Sequence, residues 1–236
     1  MQTETKFWAI VPAAGAGTRM GADIPKQYLM LGDRTVLEHT LDTLLSCQRL
    51  SGVIVVLSQA DERWTEIAPR YSRQALETAG GGTERCHSVL NGLDHLTTHA
   101  TDDDWVLVHD AARPCVRMED IERLMITLEG GTDGGLLGVP VADTMKRVDE
   151  KFCISDTVDR DGLWHAYTPQ MFRAGALRIA LRQAIDNGQA VTDEANAMEL
   201  VGYRPRMVPG SRDNIKITVS SDLPLAAFYL QSRSSS

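Results

Sequence analysis

Short β-branched runs alternate along the chain with longer segments of helical period. Phe7 to Val11 is an apolar run of strand length, and Val53-Ile54-Val55-Val56-Leu57 is a nearly unbroken one. Such runs suit strands of a parallel sheet covered on both faces. Trp105 to Val108 and Leu136 to Val141 predict further strands, with shorter ones over Arg206 to Val208 and Ile215 to Ile217. Between them, Val36 to Leu45 sets Leu37, Leu41, Leu44 and Leu45 on one helical face. Arg85 to Leu96, Met118 to Leu128, Phe172 to Ile185, Asp193 to Val201 and Leu223 to Leu230 predict more helices. This alternation predicts an α/β fold with a doubly wound, mostly parallel sheet and right-handed crossovers.

One stretch breaks the rhythm. Thr144 to Val148 and Phe152 to Val158 are two strand-like runs around the polar turn Asp149-Glu150-Lys151, which predicts a protruding β-hairpin arm over about 141–160. An isolated hairpin is marginal in water, so the arm is expected to pack on something, a second subunit being the candidate. No repeat or linker divides the chain, and residues 1–236 are expected to form one domain ending in a disordered tail from Ser232.

Composition narrows the function. The chain has 236 residues, 43% of them apolar and 24% charged, with a formal net charge of -8. That balance argues against a general nucleic-acid binder, which needs a basic surface. It leaves room for a local positive cleft that takes a small anion. The four cysteines, Cys47, Cys86, Cys115 and Cys153, are widely separated, with neither zinc-site nor redox-dithiol spacing, so reduced structural thiols are expected. No apolar stretch is long enough to span a bilayer, and no signal-peptide pattern stands at the start, so a cytoplasmic protein is expected, away from membranes.

The candidate chemistry begins where the first strand ends, in Pro12-Ala13-Ala14-Gly15-Ala16-Gly17-Thr18-Arg19-Met20-Gly21. Small residues in such a turn let backbone N–H groups approach a phosphate closely. A dinucleotide fingerprint would need a small residue where Met20 stands, and a P-loop would need Gly-Lys-Ser/Thr, so both fail. The next motif along the chain is Pro25-Lys26-Gln27-Tyr28-Leu29. Arg19 and Lys26 thus share one irregular loop at the carboxyl end of a strand, where open α/β sheets place ligands. The spacing fits either an anion site or a plain turn with two solvated cations.

Further blocks then decide the resemblance. Gly81-Gly82-Thr83-Glu84-Arg85 with Ser88 to Gly92, Val108 to Pro114, and Pro140 to Lys146 are followed by Thr157 to Arg160 and by Leu163 to Ala166 with Thr168-Pro169-Gln170. Thr192 to Ala195 and Asp213 to Thr218 complete the set. Together with the two loop motifs, these blocks resemble the 2-C-methyl-D-erythritol 4-phosphate cytidylyltransferases of the non-mevalonate isoprenoid pathway, over nearly the whole chain.

The resemblance implies a nucleotide-binding sheet and a homodimer in which the arms cross between subunits. It implies transfer of CMP from CTP to methylerythritol phosphate with release of pyrophosphate, with magnesium (Mg2+) as cofactor. It implies that Arg19 and Lys26 stabilise charge at the reacting phosphate, with Arg160 and Lys216 also catalytic. Pro12, Ala13, Ala14, Gly15, Gly17, Gly82, Thr83, Ser88, Asp110 and Ala111 would hold the nucleotide, Asp110 lying near the magnesium. Arg113, Thr144, Arg160, Thr168, Thr192 and Lys216 would grip the acceptor, Thr144 and Arg160 coming from the partner's arm. Thr83 stands where many relatives are expected to have Asp, a change that cytosine reading by neighbouring backbone groups would survive.

The chemistry fits this residue set. The attacking group is a phosphate monoester that already carries nearly two negative charges near neutral pH, so no side-chain base has to activate it. The obstacle is repulsion between two anions, which positioning and fixed cations overcome. Ribitol-5-phosphate cytidylyltransferases resemble the same family and share the reaction, and a non-catalytic nucleotide-binding module is a further alternative. His95 and His99 stand four apart on a predicted helix, a metal-compatible spacing without a third ligand in the local pattern, and are expected to be solvated.

Overall fold

The computed structural model describes residues 5–15, 24–59 and 61–234. Gly17 and Arg19 therefore lie outside the described residues. The first half of the chain contributes β1 (Phe7–Pro12), a small ribbon of β2 (Met30–Leu31) and β3 (Arg34–Thr35), α1 (Val36–Leu45) and β4 (Leu50–Leu57). It continues through α2 (Glu62–Ile67), β5 (Leu76–Gly80), α3 (Arg85–Leu96), β6 (Trp105–Val108) and α4 (Met118–Leu128). The second half adds β7 (Gly135–Pro140), β8 (Met145–Val148), β9 (Ile154–Val158) and β10 (Trp164–Arg173). It closes with α5 (Ala174–Asp186), α6 (Glu194–Leu200), β11 (Arg206–Pro209) and α7 (Asp222–Ser234).

The central sheet has seven strands in the order β11-β7-β10-β6-β1-β4-β5. β1 pairs in parallel with β4 and β6, β4 with β5, and β7 with β11, whereas β10 runs antiparallel between β6 and β7. The doubly wound, mostly parallel expectation holds. Period-two alternation explains how one sheet feeds two cores. Ala9, Val11, Val53, Val55 and Leu107 face a cluster with Leu37, Leu41 and Leu44 of α1 and Ile121 and Leu124 of α4. Ile10, Ile54, Val56, Val106 and Val108 face the opposite cluster, with Val89 and Leu93 of α3 and Leu177 and Leu181 of α5. Gly92 allows the close approach of α3, because a Cβ there would stand 2.9 Å from Ile10 Cγ2. A capping box opens α1: Thr35 Oγ1 accepts from Glu38 N–H at 3.2 Å, and Glu38 Oε2 accepts from Thr35 N–H at 2.7 Å.

The structure adds β2, β3, α2 and β5, which the sequence pattern did not mark, and it corrects three expectations. Residues 164–173 form the inserted antiparallel strand, so the helix expected from Phe172 begins at Ala174 instead. Ile215 to Ile217 is not a strand; its Ile217 N–H bonds Ala112 O at 2.8 Å and its side chain packs beneath α7 with Leu31 and Ala226. Residues 232–234 of the expected tail are instead the last turn of α7, which runs to Ser234. The arm exists as β8 paired antiparallel with β9, its residues mostly exposed. Among the described residues, no helix is long and apolar enough to cross a membrane.

Candidate functional site

All parallel strands of one sheet end on the same side, and the order reverses on either side of β1, with β4 to one side and β6 to the other. Crevices form at such a switch point. Here a cleft of about 620 Å³ opens over the carboxyl ends of β1, β5 and β6. Pro12 to Gly15, Lys26, Gln27, Gly82 to Arg85, Ser88, Asp110 to Ala112, Lys216 and Thr218 line it.

Each wall is fixed by hydrogen bonds that continue the sheet. Ala13 N–H donates to Val56 O at 2.8 Å, His109 N–H to Ile10 O at 2.9 Å and Gly81 N–H to Leu57 O at 2.6 Å. Buried Gln27 donates through Nε2 to both Ala13 O (2.8 Å) and Gly15 O (3.1 Å), tying the glycine turn to the short helical turn that carries Lys26. In the neighbouring loop, Gly82 N–H donates to Ser88 Oγ at 3.1 Å, and that hydroxyl donates to Glu84 O. Gly81 leaves no room for a side chain, since a Cβ would stand 2.3 Å from Ala14 Cβ. Thr83 Oγ1 lies 2.9 Å from His87 Nδ1, which also accepts from Glu84 N–H, and its side chain is exposed at the mouth of the cleft.

The floor is electrostatic. Asp110 Oδ1 accepts from Arg85 Nε at 3.0 Å, its Oδ2 lies 2.8 Å from Lys216 Nζ, and Arg113 Nε stands 3.6 Å away. Arg85 in turn grips Glu194, only 1% exposed, through two bonds of 2.5 and 3.0 Å. Three cations thus share two carboxylates on the floor of a cleft in an acidic chain. Burial works to raise the Asp110 carboxyl, but Arg85, Lys216 and Arg113 overcome it and hold the group well below the usual carboxylate range. Burial likewise opposes charge on Arg85, and Glu194 and Asp110 more than offset it, holding that guanidinium above its ordinary value.

A second layer fixes this floor. Asp110 N–H donates to Thr168 Oγ1 at 3.0 Å, and that hydroxyl donates to His109 Nδ1 at 2.9 Å, the unprotonated nitrogen of a neutral ring whose Nε2 faces a carbonyl. The remaining ring nitrogen, Nε2–H, donates to Arg113 O at 3.1 Å. Burial pushes the His109 imidazole down to about 4, so it is neutral and both nitrogens are committed. It is no base for catalysis. Arg113 is buried against Tyr167, 4.8 Å from the ring centroid, and donates to Asn214 O at 2.7 Å, which anchors the segment carrying Lys216.

The structure therefore brings together Pro12, Ala13, Ala14, Gly15, Lys26, Gly82, Thr83, Ser88, Asp110, Ala111 and Lys216 on one cleft. Arg113 and Thr168 lie just beneath it; the Thr168 hydroxyl and Arg113 Nη1 are hydrogen-bonded inside the protein, whereas buried Arg113 Nε has no hydrogen-bond partner among the described residues. Thr144 and Arg160 are on the exposed arm, where Arg160 donates to Ala142 O, and Thr192 is exposed ahead of α6.

A family model described as IspD, 2-C-methyl-D-erythritol 4-phosphate cytidylyltransferase, matches residues 7–232. The chain belongs to this family. It is 56% identical over 228 residues to the 2-C-methyl-D-erythritol 4-phosphate cytidylyltransferase of Hahella chejuensis, covering 97% of this chain and 94% of the relative. A crystal structure of a 4-diphosphocytidyl-2C-methyl-D-erythritol synthase superposes with a TM-score of 0.85 at 37% identity, covering 96% of this chain and 100% of the other. The Francisella tularensis 2-C-methyl-D-erythritol 4-phosphate cytidylyltransferase gives 0.83 at 35% identity, covering 95% and 100%.

Sequence reasoning did not single out Arg85, Glu194 or Gln27. A signal for Arg85 existed: a cation in the first turn of a helix opposes the helix dipole and needs carboxylate partners. Those partners, Asp110 and Glu194, lie 25 and 109 residues away in sequence, too far for any local pattern to reveal.

Proposed function

We propose that this chain transfers the cytidylyl group of CTP to 2-C-methyl-D-erythritol 4-phosphate, giving 4-diphosphocytidyl-2-C-methyl-D-erythritol and pyrophosphate. The observation that carries the reading is the cleft in which Lys26, Arg85 and Lys216 meet a glycine turn at the carboxyl edge of β1, in a chain of the cytidylyltransferase family. A phosphate oxygen of the acceptor bonds the α-phosphorus, and the bridging oxygen leaves with pyrophosphate. Lys26, with Arg19, stabilises charge that accumulates at that phosphorus. Pro12 to Gly17, Gly82, Thr83, Ser88 and Ala111 surround the nucleotide, and Lys216 holds the acceptor phosphate. Arg113 and Thr168 act on the acceptor side by positioning Lys216 and Asp110.

Asp110 suits a magnesium ion by donor type. It is ionised, it lines the cleft, and each oxygen keeps a lone pair beyond the one used by Arg85 or Lys216. Magnesium beside phosphates is commonly held by one or two carboxylates plus the phosphates. Bound there, it would neutralise part of the triphosphate charge. Pyrophosphate release from CTP and magnesium tests the function: it should require methylerythritol phosphate, and release with ribitol 5-phosphate instead would contradict the stated acceptor.

The arm supports a homodimer. Phe152, 87% exposed, and Ile154, 64% exposed, leave apolar surface on a hairpin that cannot bury it alone. Pairing two copies would cover it and carry Thr144 and Arg160 to the acceptor side of a neighbouring cleft, where Thr192 of that subunit's own chain would add to the acceptor's contacts. The double substitution Phe152→Asp, Ile154→Asp should convert a dimer to a monomer in sedimentation, and an unchanged mass would refute this use of the arm. Arg160→Lys keeps the charge but loses the planar fork that binds phosphate through two bonds. KM for the acceptor should rise with KM for CTP unchanged; unaltered acceptor kinetics would remove Arg160 from the site.

A further inference from the structure

The outer edge of the sheet carries a cluster that the cytidylyltransfer reading does not use. Glu77 lies on β5, the last strand of the sheet, His95 lies in the last turn of α3, and His99 lies in the turn that follows that helix. Both imidazole Nε2 atoms converge on one carboxylate oxygen: His95 at 2.8 Å and His99 at 3.1 Å from Glu77 Oε2. The three potential ligand atoms all lie within 4.8 Å of one another. A tetrahedral ion with metal–nitrogen bonds of 2.0–2.1 Å separates its ligands by roughly 3.3 Å, so small side-chain shifts would admit an ion among the three. The local sequence offered two histidines; the fold supplies the missing carboxylate from a neighbouring strand.

The surroundings also favour a metal. The side chains are 46% (Glu77), 34% (His95) and 39% (His99) exposed, which leaves a coordination position open to water. Trp8 stacks at a tilt beside His99, ring centroids 6.0 Å apart, and itself rests on Gly52, where any Cβ would stand 2.8 Å from the indole. That packing limits where the His99 ring can turn. Two imidazoles and one carboxylate suit zinc or a neighbouring transition ion, whereas magnesium prefers an all-oxygen shell.

We propose that Glu77, His95 and His99 form a surface site for Zn2+ or a similar transition ion, separate from the cleft. Its position gives it a consequence. β5 ends at Gly80 and α3 starts at Arg85, so the ion would clamp the strand and helix joined by the cleft loop Gly81 to Glu84. Ion binding therefore stabilises the pair of elements that carries this loop. The site does not depend on which acceptor the cleft takes.

Calorimetric titration of the full chain with Zn2+ should show one saturable site that millimolar Mg2+ does not compete away. Zn2+ should also raise the melting temperature. His95→Ala with His99→Ala should abolish both effects while leaving CTP turnover unchanged. If that double variant fails to fold, Glu77→Gln, which keeps the side-chain shape, should weaken Zn2+ binding by at least about tenfold. Absence of saturable binding, competition by Mg2+, or full-strength binding in the variants would overturn the proposal. Binding lost only in Cys86→Ser would do the same, because it would put the ion at the Glu84, Cys86, His87 cluster instead.

Discussion

The Lys26→Ala variant should turn CTP over about 10²–10³-fold more slowly than the unaltered chain, the usual cost of one preorganised donor, with no loss of folding. Lys26 is half-buried on the cleft wall, on a short turn that its neighbour Gln27 ties to the glycine turn. Truncation therefore removes a charge and leaves the scaffold. That charge also reaches Asp222. Burial works to raise the Asp222 carboxyl, and the Thr218 and Val219 N–H groups outweigh it and lower the group, with Lys26 adding to their effect. The expected signature is a fall in kcat with an unaltered melting curve. Near-normal turnover would show that Lys26 has no part in the reaction.

Asp110→Asn should produce the largest loss of stability, about 3 kcal/mol near neutral pH. Removing one partner of a buried ion pair costs ~3–5 kcal/mol, and the lower end applies because the Arg85 and Lys216 side chains are 30% and 38% exposed. Asparagine keeps the shape and the N–H that donates to Thr168 Oγ1, so the difference reports charge. The sign of the pH dependence follows from the lowered carboxyl. An acid bound more weakly to protons when folded stabilises the fold above its unfolded pKa of about 3.9 and loses that contribution as pH falls toward the folded value. Denaturant titrations should show the gap between the two proteins widest near neutrality and closing below about pH 4. A constant gap, or none, would mean that the cations do not depend on Asp110.

Much of the fold was legible because its signals are local. α1, α3, β6 and α4 fall where periodicity places them, since each buries a continuous stripe or a run covered on both faces. β10 was not legible as a strand. Its first half is largely exposed and its second half buried, and its pairing with β6 and β7 involves residues far away in sequence. Ile215 and Ile217 carry strand-like chemistry, yet their burial serves the packing of α7. The site divides the same way. The glycine turn, Lys26 and Asp110 announce themselves at strand ends, whereas the Arg85–Glu194 pair arises only when α3 and the start of α6 are folded together.

The deciding experiment is a crystal structure of the chain with CTP and magnesium bound. The triphosphate should lie against Ala13 to Gly15 with Lys26 in contact with it, while Lys216 faces the open side where an acceptor phosphate would enter. A triphosphate bound elsewhere, or Lys26 and Lys216 turned away from it into solvent, would rule out this cleft as the place of cytidylyl transfer.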